Sequence, residues 1–191
     1  MIDVIVGMIF GAISALSGKF IDEAMMRVCD ILSTIPYLLS VILLMVFLEP
    51  GIKTILIAIC LTGWINMARI VRAEILSLKK MPFVDAAKVM GAGNLRIIFK
   101  HLLPNCLGSI ITTMTISIPF AIFTEAFLSF LGLGIQAPIS SWGVMVNDGL
   151  YALRFYPWRL FFPSIMISLT MLAFNLVGDG IRDTFDPRIF K

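Results

Sequence analysis

The sequence predicts an all-α, polytopic bundle of membrane-spanning helices, and three observations carry that expectation. Of 191 residues, 59% are hydrophobic and only 14% are charged, whereas soluble domains average about 25% charged residues. Mean hydropathy is +0.99, too apolar for a water-covered surface. The apolar residues also gather into runs that approach the roughly 20 needed to cross a bilayer. In hydrocarbon a helix satisfies its own backbone groups and an isolated strand does not.

Five stretches qualify, in chain order. Residues 4–18 carry no charge but are short, and residues 31–48 are charge-free throughout. Residues 54–68 gain length if Lys53 and Arg69 reach to the two interfaces along their apolar stems. Residues 105–124 and 160–178 complete the set. Pro36, Pro119 and Pro163 fall inside these stretches and should kink them, since proline lacks an N–H and clashes with the preceding turn. Met1 is followed by Ile2 and Asp3 with no basic segment ahead of the apolar run, so the first stretch is expected to be a retained helix rather than a signal peptide.

Basic residues set the orientation. Lys19 and Arg27 follow the first stretch; Arg69, Arg72, Lys79, Lys80, Lys88, Arg96 and Lys100 separate the third and fourth; Arg182, Arg188 and Lys191 end the chain. If all five stretches cross, these fall on one side, and only Lys53, Arg154 and Arg159 of the 15 basic residues remain for the other. The rich side is expected to be cytoplasmic, with the N-terminus outside and the C-terminus inside.

The outer segment 128–158 is rich in glycine, proline and aromatic residues and has only two charges, Asp148 and Arg154. Short interfacial or re-entrant helices fit it, and Trp142, Tyr156 and Trp158 fit an aromatic belt at the membrane surface. Asn147 and Asp148 are expected to be solvated there. Glu125, near the outer end of the fourth stretch, is a weak candidate for the substrate path, because acids at membrane depth tend to be functional. Asp179 and Asp183 with Arg182 and Arg188 suggest a structural charge cluster at the tail.

Little supports chemistry on this chain. Cys29, Cys60 and Cys106 are spread singly, with no metal-type spacing, and read as small apolar residues. His101 is the only histidine, so no metal or catalytic constellation is expected. A phosphate loop needs G-x-x-x-x-G-K-[ST]; in "GAISALSGKF" the glycines are too far apart and Phe20 replaces the hydroxyl.

One segment is neither apolar nor simply a loop. In "PFVDAAKVMGAGNLRIIFKHLLPN", Pro82 suits a first helical turn and Asp85 suits the positive end of the helix dipole. On a helical wheel Phe83, Ala86, Ala87 and Met90 share one face, with Asp85 and Lys88 opposite. Gly91 is placed to cap the helix in a left-handed conformation. A second helix is expected to restart after Asn94 and run toward Pro104. The segment fits two readings equally well: a docking surface in which adjacent alanines admit a close approach, or a loop whose basic residues lie against anionic headgroups.

Asp85-Ala86-Ala87, three residues, Gly91, nine residues and then His101-Leu102-Leu103-Pro104 resembles the "EAA" loop of the permease subunits of ABC importers. The family pattern is Glu-Ala-Ala, three residues, Gly, nine residues, Ile-x-Leu-Pro. Here Asp85 keeps the charge of Glu, and His101 replaces the hydrophobic residue. "DEAMMRVCDILSTIP", "FLSFLGLGIQAPISSWGVM" and "AFNLVGDGIRDTFDPR" further resemble the dipeptide, oligopeptide and nickel subfamily, and within it the C-type permease of the heterodimeric pair. Nearly the whole chain is covered.

The resemblance implies a type I ABC importer permease: a multi-pass protein of a bacterial or archaeal inner or plasma membrane, C-terminus cytoplasmic, forming half of a path for di- or oligopeptides. Nickel or another small solute is the alternative substrate, and a stand-alone channel or secondary carrier the alternative class. Six spans are usual in the family, so the first is expected to be missing. Residues 1–181 would form the transmembrane domain, with a coupling loop at 70–104, the outer segment at 128–158 and a tail at 182–191. Asp85, Ala86, Ala87, Gly91 and Pro104 would couple the chain to a separate ATPase. The implied partners are a second permease subunit, two cytoplasmic ABC ATPases, an extracytoplasmic substrate-binding protein and membrane lipid, with no nucleic acid. No cofactor is expected on this chain, since ATP and Mg would sit on the ATPases; the chain is expected not to be an enzyme.

Overall fold

The computed structural model describes residues 2–49, 51–135 and 138–185. Among them all regular structure is helical: α1 (Ile2–Leu16), α2 (Lys19–Ser33), α3 (Tyr37–Phe47), α4 (Ile52–Thr62), α5 (Trp64–Leu78), α6 (Pro82–Val89), α7 (Asn94–Ile97), a π-helix (Ile98–Leu102), α8 (Leu103–Phe130), α9 (Trp142–Ala152) and α10 (Trp158–Phe185). Three helices are long and apolar enough to cross a membrane, Ile52–Leu78, Ile98–Phe130 and Trp158–Ile181; the bent pair Lys19–Ser33 and Tyr37–Phe47 makes a fourth if it crosses as one. α1 is apolar but only 15 residues long.

Five uninterrupted spans are therefore not what forms. The stretch 31–48 breaks where Pro36 withholds an N–H, and α3 starts only after it. The Ser33 and Thr34 hydroxyls donate instead to the carbonyls of Asp30 and Ile31, at 3.0 and 2.6 Å. The stretch 54–68 runs on to Leu78, because Arg69 and Arg72 find acidic partners on α2. Pro119 and Pro163 are accommodated inside α8 and α10, which continue through them.

The contacts form two compact units. The first comprises Met1–Thr34, Thr62–Met114 and Ile181–Lys191. In it α1 and α5 run parallel: Gly7 lies against Trp64 and Met67, Gly11 against Ala68, and at the far end the Lys79 ammonium donates to the Ala15 carbonyl at 2.9 Å. Phe10 and Trp64 pack ring to ring with centroids 4.7 Å apart. Gly11 is required: a Cβ there would sit 2.3 Å from the Ala68 carbonyl oxygen, well inside van der Waals contact.

The second unit comprises Ile35–Leu61 and Thr115–Gly180. Its core joins Val41, Ile55, Ala58 and Leu128. α9 is the short helix expected in the outer segment, capped by Ser141, whose hydroxyl accepts from the Val144 N–H. Gly143 brings it against Ala126 of α8. Asn147, expected to be solvated, instead donates to the Phe130 carbonyl, one of the acceptors a helix end leaves unsatisfied; Asp148 is exposed. Of the expected tail cluster, the Arg182 side chain and Arg188 lie outside the described residues.

Candidate functional site

The mixed segment builds a helix, a tight turn and a second helix on the first unit. Met81 is the extended N-cap of α6, Pro82 takes its first position, and Asp85 sits in the first turn. At the other end Gly91 has φ +79°. The Gly91 N–H donates to the Lys88 carbonyl and the Ala92 N–H to the Ala87 carbonyl, at 2.9 and 3.0 Å. This bond pair is a Schellman cap, and it turns the chain sharply between α6 and α7.

One face of α6 is fixed inward. Val84 and Ala87, each 1% exposed, join Val71 and Ile75 of α5 with Ile97, Leu102 and Cys106 in a single apolar cluster. The face read from the helical wheel is therefore divided. Ala87 belongs to the chain's own core, whereas Ala86 is exposed and Phe83, Val89 and Met90 are 38%, 89% and 80% exposed. A wheel drawn for an isolated helix does not know that α5 and α7 already occupy one side, which moves the free stripe round to Phe83, Ala86, Val89 and Met90. Asp85 is also outward and pairs with Lys88 at 3.0 Å.

Pro104 does not close the segment; it is the second residue of α8. Its missing N–H and its ring disrupt the preceding α-helical pattern, and the chain responds with the π-helix, in which the Leu103 N–H reaches back five residues to the Ile98 carbonyl. Asn105 Nδ2 donates to the His101 carbonyl at 2.6 Å. The helix after the turn thus continues unbroken through 94–130.

The first unit also holds a charge cluster that sequence reasoning did not assemble. Arg72 Nε and Nη2 donate to Asp22 Oδ1 and Oδ2 at 2.5 and 2.6 Å, and the buried Ser14 hydroxyl donates to the same carboxylate. Arg69 Nη2 donates to Asp30 and Ser33 at 2.9 and 3.1 Å. Bidentate arginine–carboxylate pairing is the strong, directional form of such contacts. The Arg72 hydrogen bond holds the Asp22 carboxyl below its ordinary range against a desolvation penalty, helped by Ser14 and the nearby Lys79. α1, α2 and α5 are thereby tied together. A signal was available: two aspartates eight apart in "DEAMMRVCD" and two arginines three apart in "ARIVR".

Glu125 is half-buried in the second unit and accepts from the Ser129 hydroxyl at 2.7 Å. That hydroxyl in turn accepts from the Ile135 N–H at 3.3 Å. This chain ties the loop after α8 to its own helix. A cleft of about 250 Å³ between α8, α9 and α10 is lined by Phe123, Phe127, Phe130, Gly143, Val146 and Ile167 among others, and Glu125 is not part of its wall.

The family described as "Binding-protein-dependent transport system inner membrane component" matches residues 7–191. The chain belongs to that family. It is 56% identical to the oligopeptide transport system permease protein OppC of Bacillus subtilis, over all of this chain and 63% of that protein. It is 54% identical to the dipeptide transport system permease protein DppC of the same organism, over 99% of this chain and 59% of that protein. The chain therefore spans about three-fifths of the length of these relatives. Among solved structures it is similar to a chain of the inward-facing MetNI methionine ABC transporter, with a TM-score of 0.74 at 17% identity, covering 97% of this chain and 88% of that one. That likeness shows the fold, an all-α bundle.

Proposed function

We propose that this chain is the membrane permease subunit of an ATP-driven importer of di- or oligopeptides. It would form half of the path and couple to separate ATPases through α6. The observation that carries the coupling is the division of α6, whose inner face is anchored by Val84 and Ala87 while Phe83, Ala86, Val89 and Met90 stand bare beside a carboxylate. Apolar side chains this exposed on a short helix, set in the chain between two membrane-length helices, fit a groove on another protein. The peptide substrate is supported by the relatives' names, oligopeptide and dipeptide permeases. The partners that fit are a second permease, two ATPases on the side of α6, and a binding protein on the other side.

In this reading the side rich in basic residues, with α6, is cytoplasmic, and so is the C-terminus. Asp85 would pair across the docking surface, and Gly91 would hold α6 at a fixed angle to α7. ATP and Mg would be bound by the ATPases, and this chain would do no bond-making chemistry.

The test is co-expression with the neighbouring transporter subunits, mild extraction, and mass spectrometry of what co-purifies, comparing the unaltered chain with Val89→Asp/Met90→Asp. The expected result is that the unaltered chain brings down a second permease and ATPases, and the variant keeps the permease but loses the ATPases. A stand-alone channel or carrier would still transport with Val89→Asp/Met90→Asp, which leaves the buried Val84 and Ala87 in place. Transport surviving that double substitution would refute the coupling.

A further inference from the structure

The turn between α9 and α10, with the first residues of α10, holds the two arginines that depart from the basic bias of the chain. Its backbone is closely bonded: the Phe155 and Tyr156 N–H groups both reach the Ala152 carbonyl at 3.0 and 2.8 Å, and the Arg159 N–H reaches the Tyr156 carbonyl at 3.1 Å. Gly149 seats α9 directly on the backbone of Arg159 and Leu160, where a Cβ would come within 2.8 Å. The side chains on this turn are therefore presented from a fixed frame.

Each arginine lies beside an aromatic ring. The Arg154 guanidinium is 5.8 Å from the centre of Phe155, and the Arg159 guanidinium is 5.8 Å from the centre of Tyr156. Tyr156 in turn meets Trp158 edge-on at 5.5 Å. A cation–π approach at this distance leaves the guanidinium N–H groups available to donate. Neither arginine forms an ion pair among the described residues, and no Asp or Glu occurs anywhere from Gly149 to Gly178.

The location supplies the partner. α10 begins at Trp158 and is long and apolar enough to cross a membrane, so the turn just ahead of it lies at headgroup depth whichever face it is on. Tyr151, Phe155, Tyr156, Trp158, Phe161 and Phe162 are all exposed around it. Exposed aromatic rings favour that interface. What they meet there, besides acyl chains, is phosphate.

We propose that Arg154 and Arg159 form a phosphate-binding site for a phospholipid headgroup, with Phe155, Tyr156 and Trp158 as its apolar floor. Charge complementarity commits the site to an anion, and the flanking span commits that anion to the lipid. The proposal rests on α10 crossing the membrane and not on what the chain transports, so failure of peptide import would leave it standing.

The test uses the assembled transporter in nanodiscs of phosphatidylglycerol and of a phosphate-free glycosyl diacylglycerol with the same acyl chains, comparing the unaltered chain with Arg154→Gln/Arg159→Gln. Lipid adducts are counted by native mass spectrometry on intact assemblies, and melting temperature is read in parallel. The unaltered chain is expected to retain phosphatidylglycerol and melt higher in it than in the glycolipid. The double variant should retain it about 30-fold less, each arginine near the surface contributing roughly fivefold. Counting only intact assemblies prevents partial unfolding from imitating lost binding. Equal retention by the double variant would overturn the site. Equal melting of the unaltered chain in both lipids would reduce the turn to an apolar belt. A rise reproduced by inorganic phosphate in the glycolipid discs would assign the site to free phosphate instead.

Discussion

Tryptophan placed at Ala86 and, separately, at Ala87 separates the two alanines that sequence alone puts on one face. Ala87 is 1% exposed and sits among Val84, Ile75 and Leu102, all equally buried. Adding even a few methylenes to such a core costs typically 1–3 kcal/mol, so an indole should cost about 3 kcal/mol or more. For a chain of this size that corresponds to a fall of roughly 6–12 °C in melting temperature. Ala86 is exposed, and a substitution there should stay within about 0.5 kcal/mol. The assay is a thermal melt of each purified variant in one detergent, alongside capture of the ATPases. Ala86→Trp is expected to melt like the unaltered chain yet lose the ATPases, and Ala87→Trp to melt early. Equal shifts for the two variants, in either direction, would refute the assignment of faces.

Three further outcomes follow from particular contacts. Gly91→Ala places a side chain at φ +79° with open space around the new Cβ, so the cost is purely conformational, roughly 1–2 kcal/mol, visible in the same melt. Gly11→Ala drives a Cβ against the Ala68 carbonyl and should cost about 1–3 kcal/mol, whereas Gly18→Ala, with nothing within 4 Å, should be silent. The third is a pH dependence. The carboxyl of Asp22 is held below its ordinary value chiefly by Arg72, so the contact contributes fully above the ordinary aspartate pKa of about 3.9 and is lost as pH falls through the lower folded value. Stability followed from pH 7 downward should show an acid limb that Asp22→Asn flattens while lowering the plateau; an unchanged limb would remove Asp22 from it.

Much of this arrangement was legible in residue order. The 28-residue helices α8 and α10 follow from apolar length, because hydrocarbon leaves the backbone no alternative partner. The cap at Gly91 was readable because only glycine takes that conformation cheaply. What stayed hidden depends on neighbours distant in sequence. Val84, not Phe83, points inward because α5 and α7 fill that side. Pro104 opens α8 because a π turn absorbs its defect. The pairing of Asp22 with Arg72 spans 50 positions, and neither residue announces its partner locally. The chain of hydrogen bonds from Ile135 through Ser129 to Glu125 likewise forms only once the loop after α8 has folded onto its helix.

The parallel packing of α1 on α5 also sets a timetable. Two neighbours that run the same way cannot be a hairpin; an intervening stretch must be made and turned back first. At the usual 5–20 residues per second, the interval between emergence of Gly11 and of its seat at Ala68 is about 3–11 s. Throughout it α1, 15 residues long and grooved by Gly7 and Gly11, has not yet met the helix that fills that groove. The nascent chain must therefore keep α1 in waiting, shielded by the insertion machinery or by lipid, until α5 arrives to claim it.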